Sequence, residues 1–144
     1  MAAPEVLVCD TSFISHFEQA QRKPERYTHW PSPTLDRIAR AVLAVTPFTL
    51  GELRAGYLIA GWGPARRAVL ENRLAGYVLI PLDEPALADY ATLHAHCRSA
   101  GVGIDHNDMW IAAIAISQGL ELVTCDRAQA NLPGVRAIFL PPPL

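Results

Sequence analysis

Lysine is almost missing from this chain: of its 12 basic residues, eleven are arginine and one, Lys23, is lysine. Lys23 lies in a polar, proline-flanked stretch, so no lysine stands at a strand end. There is no G-x-x-x-x-G-K run, which excludes a phosphate-binding P-loop, and Schiff-base chemistry has no lysine placed for it. Cysteine is scarce too. The three (Cys9, Cys97 and Cys125) form an odd set without C-x-x-C spacing, and Cys9 and Cys125 sit inside apolar runs. They read as small buried hydrophobes of a reduced protein, not as a disulfide framework. Charge is low, at 18% of residues and a net −2, which counts at first against a protein that grips nucleic acid by bulk positive potential. Long apolar runs are also lacking. Met109 to Ile116 falls far short of a bilayer span, and the N-terminal stretch has no basic region before its short apolar run, so a cytoplasmic protein with no membrane partner is expected.

What is present is hydrophobic residue, 51% of 144, which excludes disorder and coiled coil and suits one compact domain over residues 1–144. Short β-branched runs alternate with helical periods. Val6–Cys9 reads as a buried strand, and Asp10-Thr11-Ser12 opens a helix. Residues 22–33, with three prolines and several charges, read as a surface loop or irregular excursion. Leu35, Ile38, Ala39 and Val42 follow helical spacing, and a short strand is expected within 44–49. Thr49 then starts a helix that runs to about Gly61.

Further helices are expected at 65–75, about 85–99 and 105–118, the last closed by Gly119. Strands are expected at 77–82, 120–124 and 135–140. Apolar strands alternating with helices predict a three-layer α/β/α fold around a mostly parallel sheet.

Four acids stand out in that frame. Asp10 follows the first strand directly, and Asp126 follows the 120–124 strand after one residue, while Glu52 and Asp108 fall in the first turns of their helices. Ligands of open α/β sheets collect outside the carboxyl ends of the strands, where helix N-termini also gather. Acids nearly 120 residues apart would thus meet at one sheet edge. Such a cluster needs a cation, and all-oxygen donors suit Mg²⁺ or Mn²⁺ better than Zn²⁺. Each acid also has an ordinary structural reading. Thr49-x-x-Glu52 is a capping box, Asp105-x-x-Asp108 places an acid at the third position of a capped helix, and Asp10 and Asp126 suit Asx-turns. One placement rule covers all four.

Other strand-end chemistries fail on the residues. A haloacid-dehalogenase-like phosphatase needs Asp-x-Asp, but Ser12 stands at the second acidic position. A receiver domain needs a strand-end lysine, and the G-x-S-x-G elbow is missing. The five histidines show no metal pattern. His94 and His96 face different ways on one helix, and His106, beside Asp105, is a candidate substrate contact.

Four segments, Val6-Leu7-Val8-Cys9-Asp10-Thr11-Ser12, Thr49-Leu50-Gly51-Glu52-Leu53-Arg54-Ala55-Gly56, Asn107-Asp108-Met109-Trp110-Ile111-Ala112-Ala113 and Leu122-Val123-Thr124-Cys125-Asp126, occur in this order. Together with Leu132-Pro133-Gly134-Val135 they resemble the PIN-domain ribonucleases, above all the VapC-type toxins of bacterial toxin–antitoxin pairs. Leu132 stands where many relatives carry an aromatic residue. The resemblance implies that Asp10, Glu52, Asp108 and Asp126 form an acidic site holding Mg²⁺ or Mn²⁺, with Asp10 and Asp108 as direct ligands and Thr11, Ser12 and Thr124 supporting them.

It also implies metal-dependent hydrolysis of RNA phosphodiester bonds, a homodimer, and a VapB-like antitoxin whose helix docks in an apolar groove. Leu50, Leu53, Tyr57, Leu58 and Trp62 are candidates for that groove, and Arg54, Arg98 and Arg127 for phosphate contacts. A PIN nuclease of RNA processing and a non-catalytic binding module are the alternatives. With the four acids set aside, the remaining charge turns from negative to slightly positive, so the near-neutral total excludes only tight RNA binding without metal.

Overall fold

The computed structural model describes residues 2–144. Val6–Cys9 (β1) is followed by α1 (Thr11–Arg22), α2 (Ser32–Arg40), β2 (Val42–Val45), α3 (Pro47–Ile59), α4 (Pro64–Leu74) and β3 (Val78–Leu79). The chain then forms α5 (Glu84–Ala100), α6 (His106–Gln118), β4 (Leu122–Thr124), the single-turn α7 (Arg127–Ala130) and β5 (Ala137–Phe139). The strands form one sheet in the order β3-β2-β1-β4-β5, every neighbouring pair parallel. The sheet is therefore fully parallel.

Its apolar strands bury both faces, and the period-2 alternation of side chains sorts them. Leu7, Cys9, Val45 and Val123 face one core with Phe13, Ile14 and Ile38 of α1 and α2 and with Leu53, Leu70 and Leu74 of α3 and α4. Val8, Ala44 and Leu122 face a second core with Ala86 of α5 and Ile111, Ile114 and Ala115 of α6. The result is helix, sheet, helix. The alanines and isoleucines of α6 let it lie close to the sheet, and Gly119, in the left-handed region at φ 66°, ends it. Among the described residues no helix is long and apolar enough to cross a membrane.

The strand order fixes where a ligand belongs. From β1 the chain winds outwards through β2 to β3, then returns to the other side of β1 as β4 and β5. The carboxyl ends of β1 and β4 thus flank the point where winding reverses, the place where ligands of open α/β sheets collect.

Several boundaries differ from the sequence reading. Val42 opens β2 and does not extend the preceding helix, which stops at Arg40. Helix α3 begins two residues earlier than expected because Thr46 caps it and Pro47 occupies its first turn. The strand expected over 77–82 is reduced to the exposed edge pair Val78–Leu79, and α7, which follows Asp126, was not anticipated. Residues 22–33 form the exposed excursion expected, but it is pinned to the core by two buried aromatics. Pro24–Tyr27 forms a 3₁₀ turn, and Tyr27 and Trp30 are 5% and 4% exposed. Trp30 packs near Phe13 and Tyr27, and its indole N–H donates to the Pro141 carbonyl at 2.8 Å. Polar composition hid two anchoring aromatics.

Trp30→Ala is expected to lower unfolding stability by about 3–5 kcal/mol, the usual cost of emptying a buried aromatic site. Urea denaturation measures it, and a loss below about 1 kcal/mol would show that the segment lies outside the cooperative core.

Candidate active site

Five polar side chains are buried among the described residues: Asp10, Thr46, Thr49, Thr124 and Gln129. All five belong to the carboxyl edge of the sheet or the helices that start there. Asp10 is the N-cap of α1, 1% exposed, and its carboxylate is satisfied locally. One oxygen accepts from the Phe13 N–H and the Ser12 hydroxyl, both at 2.8 Å, and the other accepts from the Thr124 hydroxyl. The same hydroxyls bind onward. Ser12 Oγ accepts the Cys125 N–H at 3.0 Å, and Thr124 Oγ1 accepts the Asp126 N–H at 2.9 Å. The exits of β1 and β4 are laced together through one carboxylate.

The other acids surround this centre. Asp126 caps α7 by accepting the Ala128 N–H at 2.9 Å. Glu52 accepts the Thr11 hydroxyl at 2.8 Å. The capping box expected for Glu52 is not formed, because Thr46 is the cap and accepts from Thr49 N–H at 3.3 Å. That leaves Glu52 on the second turn of α3, free of any capping duty. Asp105 does cap α6, accepting the Asn107 N–H at 2.7 Å, with Asp108 three residues on.

Asp108 is half-buried, and no hydrogen bond to its carboxylate is found among the described residues. Its carbonyl instead accepts from Gln129 Nε2 at 2.9 Å. Gln129 was missed from sequence; as an isolated amide in a short polar stretch it carries no pattern to find it by.

Electrostatics follow from this crowding. Burial pushes the Asp10 carboxyl up to about 6, against the opposing pull of its hydrogen bonds from Thr124, Phe13 and Ser12. Burial, then repulsion from Asp126, Glu52, Asp105 and Asp10, pushes Asp108 up to about 7. Burial and the Asp10 charge also push the Cys125 thiol up to about 12, so it stays protonated and is no nucleophile.

Among the described residues no Lys, Arg or His forms an ion pair with any of these acids. No three His, Cys, Asp or Glu side chains there form a ready-made ligand cage. The donor chemistry still fits a hard divalent cation: the oxygens are carboxylate, the charge is uncompensated, and Asp108 has no hydrogen bond to give up in turning towards an ion.

The expected phosphate contacts fare unevenly. Arg54 is engaged with Glu71 at 2.9 Å, and Arg127 lies over the Phe139 ring, 4.5 Å from its centroid. Arg98 is exposed on α5. Of the expected groove residues, Leu53 is buried, Leu58 is exposed and Trp62 lies beyond the end of α3.

A parallel sheet with an acidic crevice at its switch point, covered on both faces, defines a class: residues 7–135 match the PIN domain, and the chain belongs to that family. Within it the similar relatives are of the VapC type. Ribonuclease VapC5 of Mycobacterium tuberculosis is 36% identical over 138 residues, covering 94% of this chain and 93% of that protein. Ribonuclease VapC4 of the same organism is 37% identical over 111 residues, covering 73% and 82% respectively. Among solved structures, VapBC-5 of M. tuberculosis, a member of the VapBC family of toxin–antitoxin systems, matches with a TM-score of 0.68 at 28% identity, covering 96% of this chain and 99% of that one.

The raised acids give stability a definite pH dependence. A carboxyl whose folded pKa lies above its unfolded value binds more protons when folded, so its stabilising contribution is present below the unfolded value and lost as pH rises through the folded one. With Asp108 moving from 3.8 to about 7, the metal-free protein is expected to weaken between about pH 4 and 7. Asp108→Asn then raises Tm by a few degrees at about pH 8 and changes it little at about pH 4, a comparison made by scanning calorimetry in EDTA. A variant Tm no higher than the parent's at about pH 8 would contradict the repulsion.

Proposed function

We propose that this protein is a Mg²⁺- or Mn²⁺-dependent endoribonuclease that hydrolyses RNA phosphodiester bonds as the toxin of a toxin–antitoxin pair, working in the cytoplasm as a single-domain homodimer. What supports the reading is that Asp126, Glu52 and Asp10 lie near enough to Asp108 to repel it, with no basic ion-pair partner among the described residues. Relatives that are ribonucleases by name, matched over most of their length, support the RNA substrate.

Asp10 and Asp108 would hold the ion directly, with Asp126 and Glu52 completing its surroundings. When bound, a divalent ion supplies charge neutralisation at the phosphate and acidifies water near neutral pH. The chain's own groups do the rest. Ser12, Thr124 and the Phe13 N–H fix the Asp10 carboxylate, so its oxygens need no reorganisation during reaction. Glu52 or Asp126 orients the attacking water and takes its proton as the phosphorus–oxygen bond to the leaving ribose breaks.

The partner reading has its own support. A cleft between α1, α3 and α4, lined by Leu53, Gly56, Tyr57, Trp62 and Leu70, also reaches Thr11 and Glu52. A VapB-like antitoxin helix seated in this apolar cleft would bring a basic side chain to the uncompensated acids. The VapBC-5 complex supports such a partner.

Purified protein is expected to cleave RNA with Mg²⁺ or Mn²⁺, to stop in EDTA, and to lose at least about 100-fold in rate as Asp10→Asn. Gel analysis of end-labelled RNA reads the outcome. Cleavage that survives both EDTA and the substitution would overturn the proposal.

A further inference from the structure

One helical turn from Glu52 begins an aromatic assembly that packs on the core yet has no part in the hydrolytic chemistry. Trp110 of α6 stacks on Phe48 of α3, with ring centroids 5.5 Å apart and planes 3° from parallel, and on Tyr90 of α5 at 3.6 Å and 4°. Tyr90 is only half-buried, and two histidines gather at it. His94 meets its edge at 5.6 Å, and His106 Nδ1 is hydrogen-bonded to its hydroxyl at 2.8 Å. The two imidazoles lie edge to face at 5.0 Å. A shallow open depression lined by Tyr90, Ala91, His94, Ala95 and Arg98 runs along α5 from this point. The floor is small alanine side chains, and the far end is an exposed arginine.

Position gives the assembly its meaning. His106 and Asp108 share the first turn of α6 on different faces, and Phe48, at the base of the stack, lies one turn before Glu52 on the same face of α3. Partly exposed planar rings, a flat alanine floor and a guanidinium at the end are parts that can hold single-stranded nucleic acid. Bases stack on aromatic or imidazole faces, while arginine takes a backbone phosphate. Arg54 and Arg127 are engaged elsewhere, whereas Arg98 has no ion-pair partner among the described residues.

We propose that Tyr90, His94 and His106 form a stacking platform for an unpaired RNA base next to the scissile phosphate, with Arg98 binding a phosphate further along the strand. The platform rests on the ribonuclease reading for its substrate class and deepens it: the RNA is taken as a single strand with a base splayed from the helix, not as a duplex. Tyr90 is held flat by Trp110 and fixed in rotation by His106, so it offers a preorganised surface.

The test uses the full chain carrying Asp10→Asn, so that RNA is not consumed, and a fluorescein-labelled single-stranded RNA of mixed sequence read by anisotropy. His94→Ala with His106→Ala, one half-buried and one exposed, is expected to weaken binding about 5- to 100-fold, the range for losing one stacked base. Tyr90→Phe, which keeps the ring, is expected to retain most of the affinity, and Arg98→Ala to flatten the salt dependence. In the otherwise native protein the double substitution should raise KM for RNA with a smaller change in kcat.

Equal affinity of parent and double variant overturns the platform, even if metal-dependent cleavage persists and the nuclease reading stands. Platform-dependent binding without any metal-dependent cleavage supports the platform and removes the nuclease reading instead. A change of molecular mass in light scattering with RNA affinity intact assigns this face to contact between copies of the chain, and overturns the proposal. Circular dichroism of each variant confirms that it has folded.

Discussion

One buried carboxylate organises this molecule. Asp10 is closed off from solvent at the end of a strand, where an ionised group without partners would cost several kcal/mol. Its three donors come from its own turn and from β4, and two of them are hydroxyls that at the same time accept backbone N–H groups of residues 125 and 126. Taking away those hydroxyls would leave a buried charge on one side and orphaned amides on the other. The join between β1 and β4 therefore coincides with the candidate site, and assembling the sheet in this order brings Asp10 and Asp126 to the same edge.

Around that join, polarity is concentrated and charge left unbalanced. The interior elsewhere is apolar on both faces of the sheet, and the buried polar groups at the crevice are all hydrogen-bonded. Rigid backing with an unfavourable front suits a cation: the carboxylates are held in place while their mutual repulsion is relieved by a proton or by a positive ligand. Asp108, with no donor of its own, bears most of that strain, and Asp10, held by three donors, bears less.

The layers and the acids could be read from the chain because both follow short-range rules. Apolar runs such as Val6–Cys9 report burial on both faces, and an acid after such a run reports a strand end. What escaped depended on distant partners. Tyr27 and Trp30 lie in a polar, proline-rich stretch, and only the Pro141 carbonyl and Phe13, far off in sequence, reveal them as core. Glu52 was read as part of a capping box because Thr49 has the right spacing, whereas Thr46 with Pro47 makes the better helix start. Gln129 supports Asp108 through the backbone, which no side-chain motif encodes. Val78–Leu79 pairs only with Ala44 and Val45, the last two residues of β2, and its own apolar run does not reveal so short a register.

The pairing of β1 with β4 also governs when the crevice can exist. The Thr124 hydroxyl that completes Asp10 lies 114 residues further along the chain, and Trp30 finds its carbonyl partner 111 residues away. Contacts of such long range form late, after the local helices. During synthesis the first hundred residues leave the ribosome with β1 lacking one neighbour and with Asp126 still unmade. The acidic edge is therefore complete only once β4 and Asp126 have been made and β4 has paired with β1.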